Sequence, residues 1–121
     1  MYSLSLFEAL FVVHFVMDWI FQTKWEAMNK DKKWASLIVH CLVYTIGFIL
    51  ILWIYKVNLL WLFFIFLSHL IFDRRKFEYW IMEKIKRMKR GETPESLWNF
   101  LVIGIDQSLH FAVLAIIVIF S

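Results

Sequence analysis

Seven side chains that could bind a metal ion or move a proton lie inside the apolar segments of this 121-residue chain. Ionisable groups are costly in such segments, about 2.5 to 3.5 kcal/mol for a central aspartate in a membrane helix, and they are tolerated where they face one another. We therefore expect a shared interior polar site. Its members would be all four histidines and three of the four aspartates, namely His14, Asp18, His40, His69, Asp73, Asp106 and His110.

Six of these residues form three pairs with a common spacing of four positions. This spacing places both members of a pair on one helical face, one turn apart. Two ligands so spaced can bind the same ion, as in the zinc helices that carry His-Glu-x-x-His. The pairs are His14 with Asp18, His69 with Asp73, and Asp106 with His110, while His40 stands alone on its segment.

The ligand types indicate which metal such a site would hold. Imidazole nitrogen and carboxylate oxygen favour Zn and also suit Mn, Fe, Co or Ni. The single cysteine excludes a Cys-rich site. Seven candidates exceed the four ligands of one tetrahedral zinc, so the surplus would orient the histidines, act as a general base or hold a second ion. We expect one or two divalent ions, with Asp18 or Asp106 as a catalytic base.

Polar residues beside the ligands suggest an anionic substrate. Two glutamines can hydrogen-bond a ligand, and cations just beyond the ligands suit a phosphoester or a phospholipid headgroup. The cations are equally typical of membrane anchors, which is the simpler interpretation for Arg75. The predicted substrate-binding residues are Gln22, Lys24, Arg74, Lys76 and Gln107, and Lys76 is also a candidate catalytic residue.

Four apolar segments must position these side chains. Hydrophobic residues make up 62% of the chain and the mean hydropathy is +0.69, well above soluble domains. A bilayer core requires about 20 apolar residues per helix, and an open sheet cannot span it. We therefore predict one transmembrane domain, 1–121, an all-α integral membrane four-helix bundle. Its spans would be 4–22, 35–55, 59–76 and 97–120.

The distribution of basic residues predicts the orientation of the bundle. Of the 13 lysines and arginines, only Lys56 lies outside the ranges 24–33 and 74–90. By the positive-inside rule these two loops are cytoplasmic and both termini lie outside, as in a multi-pass protein of the bacterial inner membrane. All seven polar groups then fall in the cytoplasmic third. The N-terminus has no basic region before its apolar run, so we expect the first segment to be retained.

A basic amphipathic extension follows the third span, at 77–90. An apolar face formed by Phe77, Ile81, Ile85 and Met88 predicts a helix on the inner leaflet that is attracted to anionic lipid. The alternative is a solvated extension that only sets topology. We expect no nucleic-acid partner.

The ordered motifs resemble a known family of small bacterial and phage membrane proteins of unknown function. The motifs are HFVMDWIFQ, then His40, then HLIFDRRK, then DQSLH, and they cover nearly the whole chain. The pattern of histidines and aspartates is also similar to that of inner-membrane proteins described as metal-dependent hydrolases. The resemblance implies recurrent positions at His14, Asp18, Gln22, His40, His69, Asp73, Lys76, Asp106, Gln107 and His110.

Three functions remain open at this point. The first is a metal-dependent hydrolase that acts on a lipid-linked ester or phosphoester at the cytoplasmic face, with membrane lipid as its partner. The second is a metal-ion or proton transporter or channel subunit, for which four helices would require a homo-oligomer. The third is a structural or signalling membrane protein in which a bound metal links the helices and stabilises the bundle.

Overall fold

The computed structural model describes residues 3–121, which form six α-helices and no strand. The all-α prediction is confirmed for these residues, and residues 1 and 2 of the predicted domain lie outside them. A π-helical turn, Val16–Ile20, follows the first helix, and a short 3-10 turn, Arg90–Glu92, precedes the last. The helices are α1 (Leu6–Phe15), α2 (Lys24–Asn29), α3 (Trp34–Ile54), α4 (Trp61–Asp73), α5 (Lys76–Lys84) and α6 (Glu95–Phe120).

Capping boxes begin the first two helices. The Ser5 side chain accepts a hydrogen bond from the Glu8 backbone N–H, and the Glu8 carboxylate accepts one from the Ser5 backbone N–H. Thr23 and Glu26 make the same reciprocal pair at the start of α2. Such pairs satisfy two otherwise free backbone donors. A helix of six residues is not stable alone, so α2 also depends on packing against α3.

The four longer helices form a ring. α1 packs against α3 and α6, and α4 packs against the same two helices from the opposite side. Within residues 3–121, the diagonal pairs α1–α4 and α3–α6 do not pack together. α2 lies against α3, and α5 lies against α4 and α6. The two short helices therefore cover the end of the ring at which α1 and α4 finish and α3 and α6 begin.

The interior of the ring is apolar, then polar, then apolar along its axis. On α6 the buried stripe runs Trp98, Val102, Asp106, His110, Leu114. The larger apolar cluster fills the end far from α5, and a smaller one lies under α5. The larger cluster contains Leu10, Tyr44, Phe48, Leu52, Ile65, Val113, Leu114 and Ile117, and the smaller contains Met82, Trp98 and Val102.

Two helices, α3 and α6, are long and apolar enough to cross a membrane. The segments predicted as spans 4–22 and 59–76 contain shorter helices, because α1 gives way to the π-helical turn after Phe15 and α4 ends at Asp73. The prediction that the third helix continues to residue 76 is wrong, since Arg75 has a left-handed backbone with φ 66°. That conformation ends a helix.

The extension after α4 also differs from its prediction. α5 spans Lys76–Lys84 rather than 77–90. Its buried face carries Glu78 and Met82, and Phe77 and Ile85, which were predicted on a face turned toward the inner leaflet, are exposed. The opposite face of α5 packs against the cluster around Trp98 on α6, a contact that periodicity alone does not reveal.

Candidate metal centre

The polar layer is positioned by stripes that are regular on α3, α4 and α6. Steps of four residues place Ile65, His69 and Asp73 on the inner face of α4, and His40 with Tyr44 on that of α3. Side chains four apart lie above one another on one helical face. The apolar member of each stripe continues into the larger cluster, so packing fixes the height and direction of the polar members.

Asp18 is positioned differently, by the π-helical turn Val16–Ile20. Met17, in this turn, lies directly against Gly47 of α3, where a Cβ atom would collide with the Met17 side chain. Glycine at position 47 therefore lets the turn approach α3. π-helical turns are frequent at functional sites, and this one brings the Asp18 carboxylate to His40.

Four ligand atoms meet at the centre of the layer. His40 Nε2 lies 3.0 Å from Asp18 Oδ1, 2.8 Å from Asp73 Oδ2 and 2.8 Å from His69 Nε2. His69 Nε2 lies 3.0 Å from Asp73 Oδ2 and 3.7 Å from Asp18 Oδ1. All four side chains are at most 4% exposed. We call these four residues, Asp18, His40, His69 and Asp73, the central cluster.

The central cluster has the donor set and spacing of a metal site. Zinc binds histidine nitrogen and carboxylate oxygen at about 2.0 to 2.2 Å in a tetrahedron, which separates neighbouring ligand atoms by roughly 3.3 Å. The measured separations of 2.8 to 3.7 Å bracket that value. Two imidazoles and two carboxylates from three segments could therefore hold one divalent ion after small adjustments.

A second group, Asp73, Asp106 and His110, adjoins the central cluster. His110 Nε2 lies 2.7 Å from His69 Nδ1 and 3.3 Å from Asp73 Oδ1. His110 Nδ1 lies 2.6 Å from the backbone oxygen of Asp106, to which it donates. That bond leaves Nε2 free to face His69 and Asp73. His110 is therefore placed either to orient His69 or to bind a second ion.

His14 lies beside these groups but is occupied by neutral partners. Its Nε2 lies 2.7 Å from Gln107 Oε1, and its Nδ1 lies 2.7 Å from the Tyr44 hydroxyl. Because the Gln107 carbonyl oxygen can only accept, Nε2 donates and Nδ1 accepts from Tyr44. The Tyr44 ring also stacks on His69, with centroids 3.7 Å apart. In this arrangement His14 supports the ligands rather than acting as one.

A cavity of about 200 Å³ opens beside the central cluster. Three polar atoms of its lining, Gln22 Oε1, Arg75 Nε and Asp106 Oδ1, are buried without a hydrogen-bond partner among residues 3–121. Gln107 Nε2 donates to Asp106 Oδ2 at 3.2 Å and to Asp18 Oδ2 at 3.4 Å. The lining residues are Asp18, Trp19, Gln22, Ala27, Lys30, Arg75, Ile103, Asp106 and Gln107.

Comparison with known proteins identifies the family. The family model described as "Protein of unknown function (DUF3307)" matches residues 6–121. The chain belongs to the DUF3307 family. The predicted membership of a family of unknown function is thus confirmed. No curated protein and no solved structure matches the chain, so the chemistry of this DUF3307 protein is argued from its own residues.

Sequence reasoning missed Glu26 and Lys30, which α2 places in the layer. Lys30 Nζ lies 2.9 Å from Asp73 Oδ2 and 3.9 Å from Asp18 Oδ1. Burial alone would lower the pKa of Lys30, but Asp73 and Asp18 outweigh burial and raise it. Glu26 Oε1 lies 3.7 Å from His40 Nδ1, and both atoms are otherwise unpartnered in the described part of the chain.

A signal for both residues was present in the sequence. The spacing of four that joins His14, Asp18 and Gln22 continues to Glu26 and Lys30. A carboxylate behind a ligating histidine fixes its orientation, and Glu26 is placed for that role behind His40. The spacing was overlooked because Lys30 belongs to a basic loop whose charges were assigned to topology.

The predicted cations do not gather at the site. Lys24 is exposed, and Lys76 is exposed beside Trp34, Phe77 and Trp80. The Arg74 guanidinium lies 4.5 Å from the centre of the Trp34 ring. The cations that line the cavity are instead Lys30 and Arg75.

Proposed function

We propose that this DUF3307 chain is a membrane-embedded, metal-dependent hydrolase that acts on a phosphoester or lipid-linked ester at the cytoplasmic face of a bacterial inner membrane. The observation that carries the proposal is the central cluster, in which two imidazole nitrogens and two carboxylate oxygens converge at metal-ligand separations. Histidine-rich ligation of this kind favours Zn over Mg or Ca.

The membrane assignment is supported by the outer surface of the bundle. On α3, Leu42, Ile46, Leu50 and Trp53 are 49% to 70% exposed. Soluble monomers rarely expose a continuous apolar patch of this kind, whereas lipid solvates it. The chain thus places ionisable groups inside and apolar groups outside, as expected for a membrane bundle.

The proposed orientation can be tested with introduced thiols. Lys56, at the turn between α3 and α4, would lie outside, and Lys86, after α5, would lie in the cytoplasm. In a Cys41→Ala background, a membrane-impermeant maleimide applied to intact cells should label Lys56→Cys and leave Lys86→Cys unlabelled until the membrane is opened. The reverse pattern would mean the opposite orientation.

The polar residues have distinct roles in the proposed reaction. A divalent ion in the central cluster would polarise the scissile group and acidify a water molecule. Asp106 lines the cavity, and its Oδ1 is buried without a hydrogen-bond partner in residues 3–121, so it can accept the proton of an attacking water. Gln107 fixes the other Asp106 oxygen at 3.2 Å. Tyr44 holds His14 on one side and the face of His69 on the other.

Transport is less well supported than hydrolysis. Beyond the polar layer, Phe48, Leu52, Ile65, Leu114 and Ile117 are at most 1% exposed. This apolar cluster closes the bundle on the side opposite α5, so a continuous polar path across the described helices is absent. We expect no uptake of labelled zinc into proteoliposomes.

Metal content and turnover of the purified protein test the proposal together. We expect bound zinc in the wild type, loss of zinc in Asp73→Asn, which preserves side-chain shape, and retained zinc in His14→Gln. Zinc-dependent hydrolysis of a phosphoester such as a short-chain phosphatidate should likewise be present in the wild type, lost in Asp73→Asn and retained in His14→Gln. Absence of a bound transition metal would refute the proposal. Bound metal without turnover of any ester would instead favour the structural role.

A further inference from the structure

We propose that the cavity beside the central cluster is a subsite for a phosphate group and that Arg75 is its principal ligand. The inference names the substrate group for the proposed function, and it rests on that function for the reaction although not for binding. The simpler interpretation of Arg75 from sequence was a membrane anchor. The cations predicted to bind substrate, Lys24, Arg74 and Lys76, do not line the cavity.

Arg75 acts electrostatically on the nearby Asp106 carboxylate but forms no ion pair with another residue in 3–121. Within residues 3–121 the ion pairs of the polar layer involve Lys30 and the histidines, and Arg75 takes part in none of them. Its Nε is buried without a hydrogen-bond partner. A buried guanidinium donor without an acceptor is costly, and a planar fork of donors matches two oxygens of a phosphate. A bound anion would satisfy it.

Arg75 occupies a backbone conformation that favours glycine, which suggests that its side chain serves a function. Arg75 follows the last turn of α4 in the left-handed region, with φ 66°, a position that glycine usually occupies. Lys56 and Arg87 share this conformation, so the backbone alone does not distinguish Arg75. The distinction is that Arg75 lines the cavity, where a glycine would remove the only cation besides Lys30 among the described lining residues.

The rest of the lining complements a phosphate group. The Gln22 side chain is partly buried in the wall, and its Oε1 lacks a partner, so its amide is free to rotate and donate. Lys30 supplies a second positive charge, and its Nζ also pairs with Asp73 Oδ2 at 2.9 Å. A volume of about 200 Å³ accommodates a tetrahedral oxyanion, given that a water occupies about 30 Å³ in the liquid.

Two carboxylates in the cavity wall repel an anion unless positive charges or hydrogen-bond donors offset their negative charge. Asp18 is 3.0 Å from His40 Nε2 and accepts from Gln107, and Asp106 also accepts from Gln107. An ion in the central cluster would offset the charge of Asp18. We therefore expect phosphate to bind the zinc-loaded protein more tightly than the zinc-free protein.

The apolar rim suggests how a lipid could reach the cavity. Trp19 and Ile103 belong to the lining, and Trp19, Ile20 and Phe21 are 57% to 72% exposed. These side chains could contact acyl chains while the headgroup enters. A soluble phosphoester would use the same cations without needing this rim.

Titration calorimetry on the zinc-loaded protein in detergent tests the subsite. The probes are inorganic phosphate and dihexanoyl phosphatidate. Arg75→Gln should weaken the binding of both at least tenfold, as expected for loss of a charged hydrogen bond, and Arg75→Lys should recover part of the affinity. The matched control, Arg74→Gln, removes the neighbouring arginine and should change affinity less than twofold.

The outcomes separate this inference from the proposed function. Equal phosphate affinity for Arg75→Gln and the wild type, with zinc content and helicity unchanged, would overturn the subsite and leave the metal site standing. Arg75-dependent phosphate binding by a protein that holds no metal would support the subsite and refute the hydrolase. Tighter binding of phosphatidate than phosphate, lost in Trp19→Ala, would identify a lipid headgroup, and equal binding a soluble phosphoester.

Discussion

Glu78 provides a quantitative test of the interior that α5 forms with α6. Its side chain is fully buried, and neither carboxylate oxygen has a hydrogen-bond partner among residues 3–121. Burial, with a smaller contribution from the Asp106 carboxylate, raises the pKa of Glu78 from 4.5 to about 8. The acid is therefore largely protonated at neutral pH in the folded protein and ionised in the unfolded chain.

The direction of the resulting pH dependence follows from proton binding. Between the two pKa values, 4.5 unfolded and about 8 folded, the folded state binds more protons, so the free energy of unfolding falls as pH rises. The full effect is at most about 5 kcal/mol, at about 1.4 kcal/mol per pKa unit. The part lost between about pH 6 and about pH 9 is about 3 kcal/mol.

Replacement by glutamine isolates this contribution. Glu78→Gln keeps the shape of the side chain but cannot ionise, so its free energy of unfolding should fall about 3 kcal/mol less than that of the wild type between about pH 6 and about pH 9. Reversible unfolding in mild detergent, followed by far-ultraviolet circular dichroism with a chelator present, measures the difference. The exposed Glu83→Gln on the same helix is the matched control. Parallel pH profiles for wild type and Glu78→Gln would refute the reasoning.

Three further substitutions test the packing that supports the polar layer. Gly47→Ala places a Cβ against the Met17 side chain and should lower stability by about 1 to 3 kcal/mol, with recovery in the double variant Met17→Ala, Gly47→Ala, as thermal melting would show. Tyr44→Phe removes the hydroxyl bonded to His14 and should cost about 1 kcal/mol, whereas an unchanged melting temperature would contradict that bond. Ser5→Ala removes the cap of α1 and should cost about 1 kcal/mol in the same measurement.

The sequence predicted the polar layer well where the helices are regular. Side chains four apart on α4 and α6 do share a face, and both pairs point inward. The prediction needed only helical periodicity and the high cost of exposing ionisable groups to an apolar surrounding. The convergence of His40 with His69 at 2.8 Å required the additional fact that α3 and α4 pack side by side.

Periodicity was insufficient where the backbone departs from the α-helix. His14 and Asp18 have the same spacing as the other pairs, yet His14 contacts Tyr44 and Gln107 while Asp18 reaches His40. His14 Nε2 and Asp18 Oδ2 remain 3.9 Å apart, and the close approach of the π-helical turn to Gly47 on another helix brings Asp18 to His40. No local pattern around residue 18 contains that information.

The short segments were the other source of error. Lys30 and Arg75 belong to basic stretches in which the sequence does not distinguish one cation from another. The direction of Lys30 follows from the six-residue helix α2, and that of Arg75 follows from its left-handed backbone. The positive-inside rule concerns only the total positive charge of such a stretch. It does not indicate which cation turns inward, so the prediction selected Lys24, Arg74 and Lys76 in place of Arg75 and Lys30.

The charge balance of the polar layer is itself an argument for a bound cation. Asp18, Asp73, Asp106 and Glu26 bring four carboxylates, and Lys30 is the only lysine or arginine paired with any of them within residues 3–121. A buried ion pair adds little net stability, and apolar side chains of similar volume usually serve a fold at least as well. The layer is therefore better explained by binding than by folding. The carboxylates of the layer outnumber the lysine paired with them, and a divalent ion between His40 and His69 would offset this excess of negative charge.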